Sequence, residues 1–298
     1  MSHSSPRRLL LAASAVSLLL AGCGASSSTS SHPSSPTSAA RQAPGATATT
    51  AAATTDPAVI MARSTVPVLC FHQVRNWRAS DSRSDRGIIT PPAVLDRQLA
   101  TLKQAGYTPI TDDALYAHLT TGAPLPAKPV LLTFDDGSES QVSEALPILK
   151  RYGFPSTYFP MTIVLGKQYW MTKAQVKQIQ ADGVTIGSHT YDHNPVTKYD
   201  AAAVKTELVA PREELSQITG RPVVDFAYPY GSWNRSSPPK VRSAGYRMAF
   251  GLDTPEDPSD PLHSYPRVIV PPTLTAQQLL ALVEKAPHPT SNGAQAGE

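Results

Sequence analysis

Two carboxylates stand side by side in Thr133-Phe134-Asp135-Asp136-Gly137, directly behind the apolar run Pro129-Val130-Leu131-Leu132. Adjacent negative charges repel, so such a pair needs a positive partner or a chemical use. Further on, two imidazoles lie four residues apart in Gly187-Ser188-His189-Thr190-Tyr191-Asp192-His193, again behind a short apolar run, Val184-Thr185-Ile186. If that segment turns helically, both rings converge on one point. Either feature alone is ordinary. Together, two histidines and one strand-end carboxylate make a donor set for a catalytic divalent cation with open positions. The chain carries its own contrast in Asp112-Asp113, which runs straight into Ala114-Leu115-Tyr116-Ala117-His118-Leu119. That pair reads as a helix N-terminus, its carboxylates meeting free N–H groups and the positive end of the dipole.

The elements that must hold these residues alternate along the chain. Strand-like runs occupy 66–71, 107–110, 129–134, 156–160, 184–186, 223–228, 246–250 and 268–270. Helical patterns fill the gaps: one capped by Thr90 with Pro91 in its first turn and ended by Gly106, then 113–120, 139–152, 172–182, about 200–219, and 275–285. Such alternation predicts a parallel sheet, open or closed into a barrel. Barrel active sites form at the C-terminal ends of strands, where Asp135-Asp136 falls.

The chain has 298 residues, 41% hydrophobic and 16% charged, with a net charge of +3. That is enough for a large core and too weakly basic, with no Lys/Arg run, to grip nucleic acid. Residues 1–23 lie outside the fold: Arg7-Arg8, an apolar stretch from Leu9 to Leu20, then Leu20-Ala21-Gly22-Cys23 form an export signal. "LAGC" resembles the bacterial lipoprotein signal, in which the cysteine becomes the lipidated first residue. Sec or twin-arginine export both remain open. Residues 24–64 are Ser, Thr, Ala and Pro with almost no large apolar side chain, and read as a flexible tether. The tail, 287–298, reads the same way. Residues 65–286 form one domain, in which Cys70 is the sole cysteine and reads as a buried small apolar residue.

The motif set resembles the polysaccharide deacetylase family (carbohydrate esterase family 4, the NodB homology domain). The family's T-F-D-D-G stands at 133–137, its paired-histidine motif at 189–193, and its R-x-P-Y-G in part at 227–231, with Ala227 at the Arg position. The resemblance implies a single-domain α/β fold, a distorted (β/α) barrel with fewer than eight strands. It further implies Asp136, His189 and His193 as metal ligands, Asp135 as general base, and the backbone N–H of Tyr230 as oxyanion donor. Zn²⁺ suits two histidines and a carboxylate, with Co²⁺ or Ni²⁺ as alternatives.

Two departures from the family pattern bear on the chemistry. The general acid is usually a late histidine, and the late candidate here, His263, sits in a loop. The first strand instead ends in Phe71-His72, which resembles the circularly shifted branch of poly-β-1,6-N-acetylglucosamine deacetylases, where the early histidine is the acid. The missing motif arginine leaves Asp135 without its usual partner; Arg267, beside the last strand, could supply the charge or simply be solvated. Trp170, Tyr228, Tyr230 and Trp233 could stack on sugar rings or pack in the core. The expected protein is thus a metal-dependent hydrolase removing N-acetyl groups from an N-acetylglucosamine-containing extracellular or envelope polysaccharide, held to the outer face of the membrane through Cys23. The alternative is a glycan-binding lipoprotein without turnover, which the missing arginine favours. The glycan is the partner expected; no nucleic acid and no protein partner is inferred.

Overall fold

A computed structural model describes residues 52–252 and 254–286. The export signal with Cys23, the greater part of the tether and the tail lie outside the described residues. Eight strands follow one another: β1 (Val68–Phe71), β2 (Thr108–Ile110), β3 (Pro129–Asp136), β4 (Thr157–Pro160), β5 (Thr185–Ile186), β6 (Asp225–Ala227), β7 (Met248–Phe250) and β8 (Val268–Ile269). All pair in parallel, as strand–helix alternation requires.

β3 is the central strand. β1 runs along one side of it, with Val68 opposite Leu131 and Phe71 opposite Phe134. Its other side is shared, β2 taking residues 129–131 and β4 taking residues 133–136. The sheet order is β5-β4-β3-β1-β8, and β6 pairs with β7 separately. Two single bridges, Ser188 to Phe226 and Phe250 to Tyr265, join that pair to the sheet and close the ring. The result is the distorted (β/α) barrel expected from the sequence.

Side-chain alternation divides the core in two. Val68, Leu131, Phe159, Ala227, Met248, Phe250 and Tyr265 pack together inside the ring. Leu69, Phe71, Leu132, Phe134, Tyr158 and Phe226 face the helices, against residues such as Leu95, Leu99, Leu149 and Val176. Two helices contain π-turns, Gln141–Ala145 and Val204–Val209, each just before a proline in the next α-helical turn. Pro147 and Pro211 have no N–H for the regular ladder, so the backbone widens there.

The folded body begins earlier than residue 65. Asp56 caps a helix, Pro57–Arg63, whose Ile60 is buried in the inner core. Arg63 donates to the Leu119 carbonyl at 2.9 Å, and the Ser64 hydroxyl to Glu256 at 2.9 Å. Residues 57–64 are therefore docked structure and not tether. The overlooked signal was Asp-Pro, a cap followed by a first-turn proline, ahead of Val59-Ile60-Met61. Two further helices, Arg83–Ile88 and Ser237–Ser243, also went unread.

Asp112-Asp113 does open a helix, Asp112–Thr121, but the cap is Thr111 and Asp112 turns inward. Fully buried, it accepts from the Thr157 hydroxyl, and burial together with the charge of Asp225 pushes its carboxyl well up. Arg247 forks Asp225 at 2.9 and 2.8 Å and reaches Asp113 at 2.6 Å. Thr157 and Asp225 begin their strands, so this polar knot seals the end of the barrel opposite the site.

Candidate metal centre and active site

Asp135 and Asp136 are the last two residues of β3, paired with Phe159 and Pro160 of β4. Alternation puts Asp135 inside the ring, on the side of Leu131 and Thr133. Asp136 would turn outward, but its φ of 75° redirects the chain at the rim. Gly137 follows at φ 84°, where an added Cβ would meet the Pro160 Cβ at 2.6 Å. The two neighbours therefore occupy different environments.

Asp136 meets the two histidines. Its Oδ1 lies 3.6 Å from Nε2 of His189 and 3.6 Å from Nε2 of His193. Tetrahedral ligands about 2.0–2.1 Å from one zinc ion stand roughly 3.4 Å apart, so the set fits such an ion. His189 Nδ1 donates to the Ala227 carbonyl at 2.7 Å, which fixes the ring and leaves Nε2 for a ligand. Burial pushes the His189 imidazole below its usual range despite the carboxylates beside it. For His193, burial first and the neighbouring His189 second bring the value down to about 4. Both rings are neutral at pH 7, the form a cation needs. The segment joining them is not helical: Thr190 and His193 have φ of 68° and 69°, and the Thr190 hydroxyl accepts the His193 N–H at 2.9 Å. Left-handed turns bring the rings together where a helix was expected. Asp192 turns away and accepts from Asn194, while its own N–H donates to Glu207.

Asp135 is held by Arg267. Two parallel bonds of 2.7 Å join the guanidinium to its two oxygens, and both side chains are at most 1% exposed. Arg267 also donates to the Thr133 hydroxyl at 3.1 Å and the Gly251 carbonyl at 3.3 Å. Burial alone would raise the Asp135 carboxyl, but Arg267, with His189 and His72 adding to it, holds it well below the usual carboxylate range. Oδ2 lies 4.0 Å from His189 Nε2, so this carboxylate borders the metal set without belonging to it.

His72, at the end of β1, completes the rim. Its Nδ1 is 4.0 Å from Cys70 Sγ, and Cys70, His72 and Asp135 present donor atoms within 4.8 Å of one another. Burial pushes the Cys70 thiol up, which favours its neutral form. The thiol points its weak donor at Asp135 Oδ2, 3.5 Å away. Gln141, unread in the sequence, ties the two strand ends together: Nε2 donates to the carbonyls of His72 and Asp135.

Tyr230 stands in the left-handed region at φ 58°, its ring edge-on to His193 with centroids 4.4 Å apart. Among the described residues its backbone N–H has no acceptor. Among the described residues six non-glycine residues have positive φ, and four are Asp136, Thr190, His193 and Tyr230. Each costs on the order of 1–3 kcal/mol, and such residues gather where function requires the geometry.

The sequence profile described as Polysaccharide deacetylase matches residues 122–249. The Bacillus subtilis (strain 168) protein YxkH, named as a polysaccharide deacetylase, is 24% identical over 220 residues, 74% of this chain and 76% of its own. The poly-beta-1,6-N-acetyl-D-glucosamine N-deacetylase of Escherichia coli (strain K12) is 27% identical over 244 residues, 66% of this chain but 36% of that relative's length. The fold matches the solved Streptococcus pyogenes deacetylase PplD, in complex with acetate, at a TM-score of 0.67, 24% identity and coverage of 74% and 98% of the two chains. The chain carries a polysaccharide deacetylase domain. His72 and Arg267 both fall outside the span matched by the profile, so the candidate site draws on chain before and after it.

Other residues singled out in the sequence lie elsewhere in the deacetylase domain. His263 is buried, with Nδ1 2.7 Å from Asp260 and Nε2 3.0 Å from the Tyr246 carbonyl, so both ring nitrogens serve packing. Tyr228 is fully buried and its hydroxyl donates to the His263 carbonyl. Trp170 and Trp233 are half-buried. Among the described residues the exposed large aromatics are Trp77, Tyr169, Tyr191 and Tyr230.

Removing one partner of a buried pair strands the other's charge. Arg267→Met in metal-free protein should lower stability at pH 7 by about 3–5 kcal/mol, read by urea unfolding. Without Arg267, burial raises the Asp135 carboxyl above its unfolded value of about 3.9, so the deficit is largest above the raised value and shrinks as the pH falls and Asp135 is neutralised. An equal deficit at pH 7 and pH 4 would mean that lost packing, not charge, is responsible.

Proposed function

We propose that the protein is a metal-dependent hydrolase that removes N-acetyl groups from an N-acetylglucosamine-containing extracellular or envelope polysaccharide. The observation that carries this reading is the division between the two carboxylates: Asp136 faces two neutral imidazoles, and Asp135 sits beside them, ionised and locked by Arg267. The name of the Escherichia coli relative supports the sugar.

Asp136, His189 and His193 hold the cation, zinc being best suited and cobalt or nickel able to use the same donors. When bound, it supplies a Lewis acid that raises the acidity of water and draws charge from the acetyl carbonyl. Asp135 takes the proton of the attacking water, its orientation set by the guanidinium fork. The Tyr230 N–H donates to the carbonyl oxygen as negative charge develops there. His72 gives a proton to the sugar nitrogen as the C–N bond breaks, so acetate and a free amine result. The feature that favoured a binding protein without turnover was the arginine missing at Ala227, and the pairing of Arg267, just before β8, with Asp135 supports the enzyme reading instead. We further propose that the chain is a lipoprotein anchored through Cys23 on the extracytoplasmic face of the membrane.

Three measurements test this. Asp136→Ala should lose bound metal and acetate release together, whereas Asp135→Asn should keep the metal and lose activity; equal metal loss in both would sink the division of labour. His72→Asn should keep the metal and lose glycan deacetylation by about 10²–10⁴-fold, while retaining much of its hydrolysis of an activated aryl acetate, whose phenolate leaves without a proton. A parallel fall in both activities would make His72 structural. Cys23→Ser should move the protein into the soluble fraction with unchanged turnover; unchanged fractionation would exclude the anchor.

A further inference from the structure

Twenty residues separate β1 from the next helix of the barrel wall, and this loop, residues 72–91, begins at His72. It is heavily braced. Arg75 forks Asp81 with two bonds of 2.9 Å, and Asp81 also accepts the Arg78 N–H at 2.6 Å. Ser82 and Asp85 form a reciprocal cap for the helix Arg83–Ile88, and the Trp77 indole donates to the Ile89 carbonyl at 2.8 Å. Its acids are thus committed within the loop. Arg78, Arg83 and Arg86 have no carboxylate partner among the described residues, and Arg86 Nη2 donates to the Arg78 carbonyl at 3.3 Å. The Arg78 guanidinium lies 5.2 Å from the centroid of the Tyr169 ring, and that of Arg86 lies 5.9 Å from the Trp77 ring.

This ledge adjoins the site. Trp77 is five residues beyond His72, and the Tyr169 carbonyl accepts the N–H of Glu139, three residues beyond Asp136. Trp77 and Tyr169 are 42% and 65% exposed, so both rings are open to a ligand. Stacking leaves the in-plane N–H groups of a guanidinium free, and their fork matches a carboxylate or a phosphate. Glu139, whose backbone meets Tyr169, accepts from the Ser143 hydroxyl and is only half-exposed.

We infer that this ledge, Trp77-Arg78-Arg86-Tyr169, is a specificity subsite for a glycan that carries an anionic substituent close to the acetamido sugar. The inference rests on the deacetylase reading and deepens it. Deacetylation turns each neutral acetamido sugar into an ammonium, so a neutral homopolymer becomes a polycation as it is processed. Guanidinium groups without a carboxylate partner beside the site repel such a product, whereas an anionic substituent compensates for it. The ledge selects acidic glycans over neutral N-acetylglucosamine polymers.

The test compares length-matched N-acetylglucosamine oligomers that are neutral, carboxylated on alternate sugars, or phosphorylated. Calorimetric binding to the full protein comes first, because it needs no turnover. The acidic oligomers should bind about tenfold more tightly than the neutral one at low salt, with the difference shrinking as salt is added. The double variant Arg78→Met, Arg86→Met keeps the packing on the rings and should abolish the difference, leaving binding of the neutral oligomer and aryl acetate hydrolysis within twofold of the parent. Carboxylate against phosphate identifies the favoured substituent. Equal binding of neutral and acidic oligomers, or a preference that survives in the double variant, overturns the inference. Selective binding with no acetate released from any oligomer would leave the ledge standing and remove the deacetylase reading instead.

Discussion

A carboxylate sealed inside a barrel has to be neutralised in place, and the Asp135–Arg267 pair meets that demand with two charge-assisted bonds and almost no exposure. Much of the interior is arranged around it. Thr133, the Gly251 carbonyl and the Phe159 ring complete the guanidinium's surroundings. Cys70, the residue next to the pair on β1, contributes only a thiol donor. An ion pair this deep adds little net stability over an apolar core of the same volume. Its retention makes sense if the charge itself is used, which is how the proposed mechanism uses it.

The pair also explains how adjacent acids coexist. Strand alternation sends Asp135 inward to its arginine, and the positive φ of Asp136 swings that side chain to the rim, where two neutral histidines wait. The same left-handed geometry recurs at Thr190, His193 and Tyr230. These four points of strain fall at three strand ends, those of β3, β5 and β6. The carbonyl of Ala227 takes part as well, since it orients His189 from the position where the family motif has its arginine.

How much of this could be read from residues alone follows from sequence distance. Asp135, Asp136, His189 and His193 were visible because each group is local and sits behind an apolar run. The barrel was visible in the alternation of strand and helix. Arg267 remained an open choice, since nothing local links it to a residue 132 positions earlier. Backbone strain at aspartate, threonine, histidine and tyrosine has no signature in residue type, so the histidine segment was expected to be helical. Gln141 looks like any helix residue until its amide is seen bridging two strand ends. The helix 57–63 hid within a Ser/Thr/Ala-rich stretch, and the stacking of Arg78 depends on a ring from another loop, Tyr169.

The ends of the domain meet in space. β8 lies against β1, and the Tyr265 hydroxyl donates to the Val66 carbonyl across 199 residues. A chain emerging from its N-terminus can therefore pair β1 with β3 early, yet it cannot neutralise Asp135 until residue 267 has arrived. Before that moment the closing interior would hold an isolated charge at a cost of several kcal/mol. Long-range closure of this kind is slow and comes late. A chain cut short before residue 267 therefore lacks both its seam and its counter-charge.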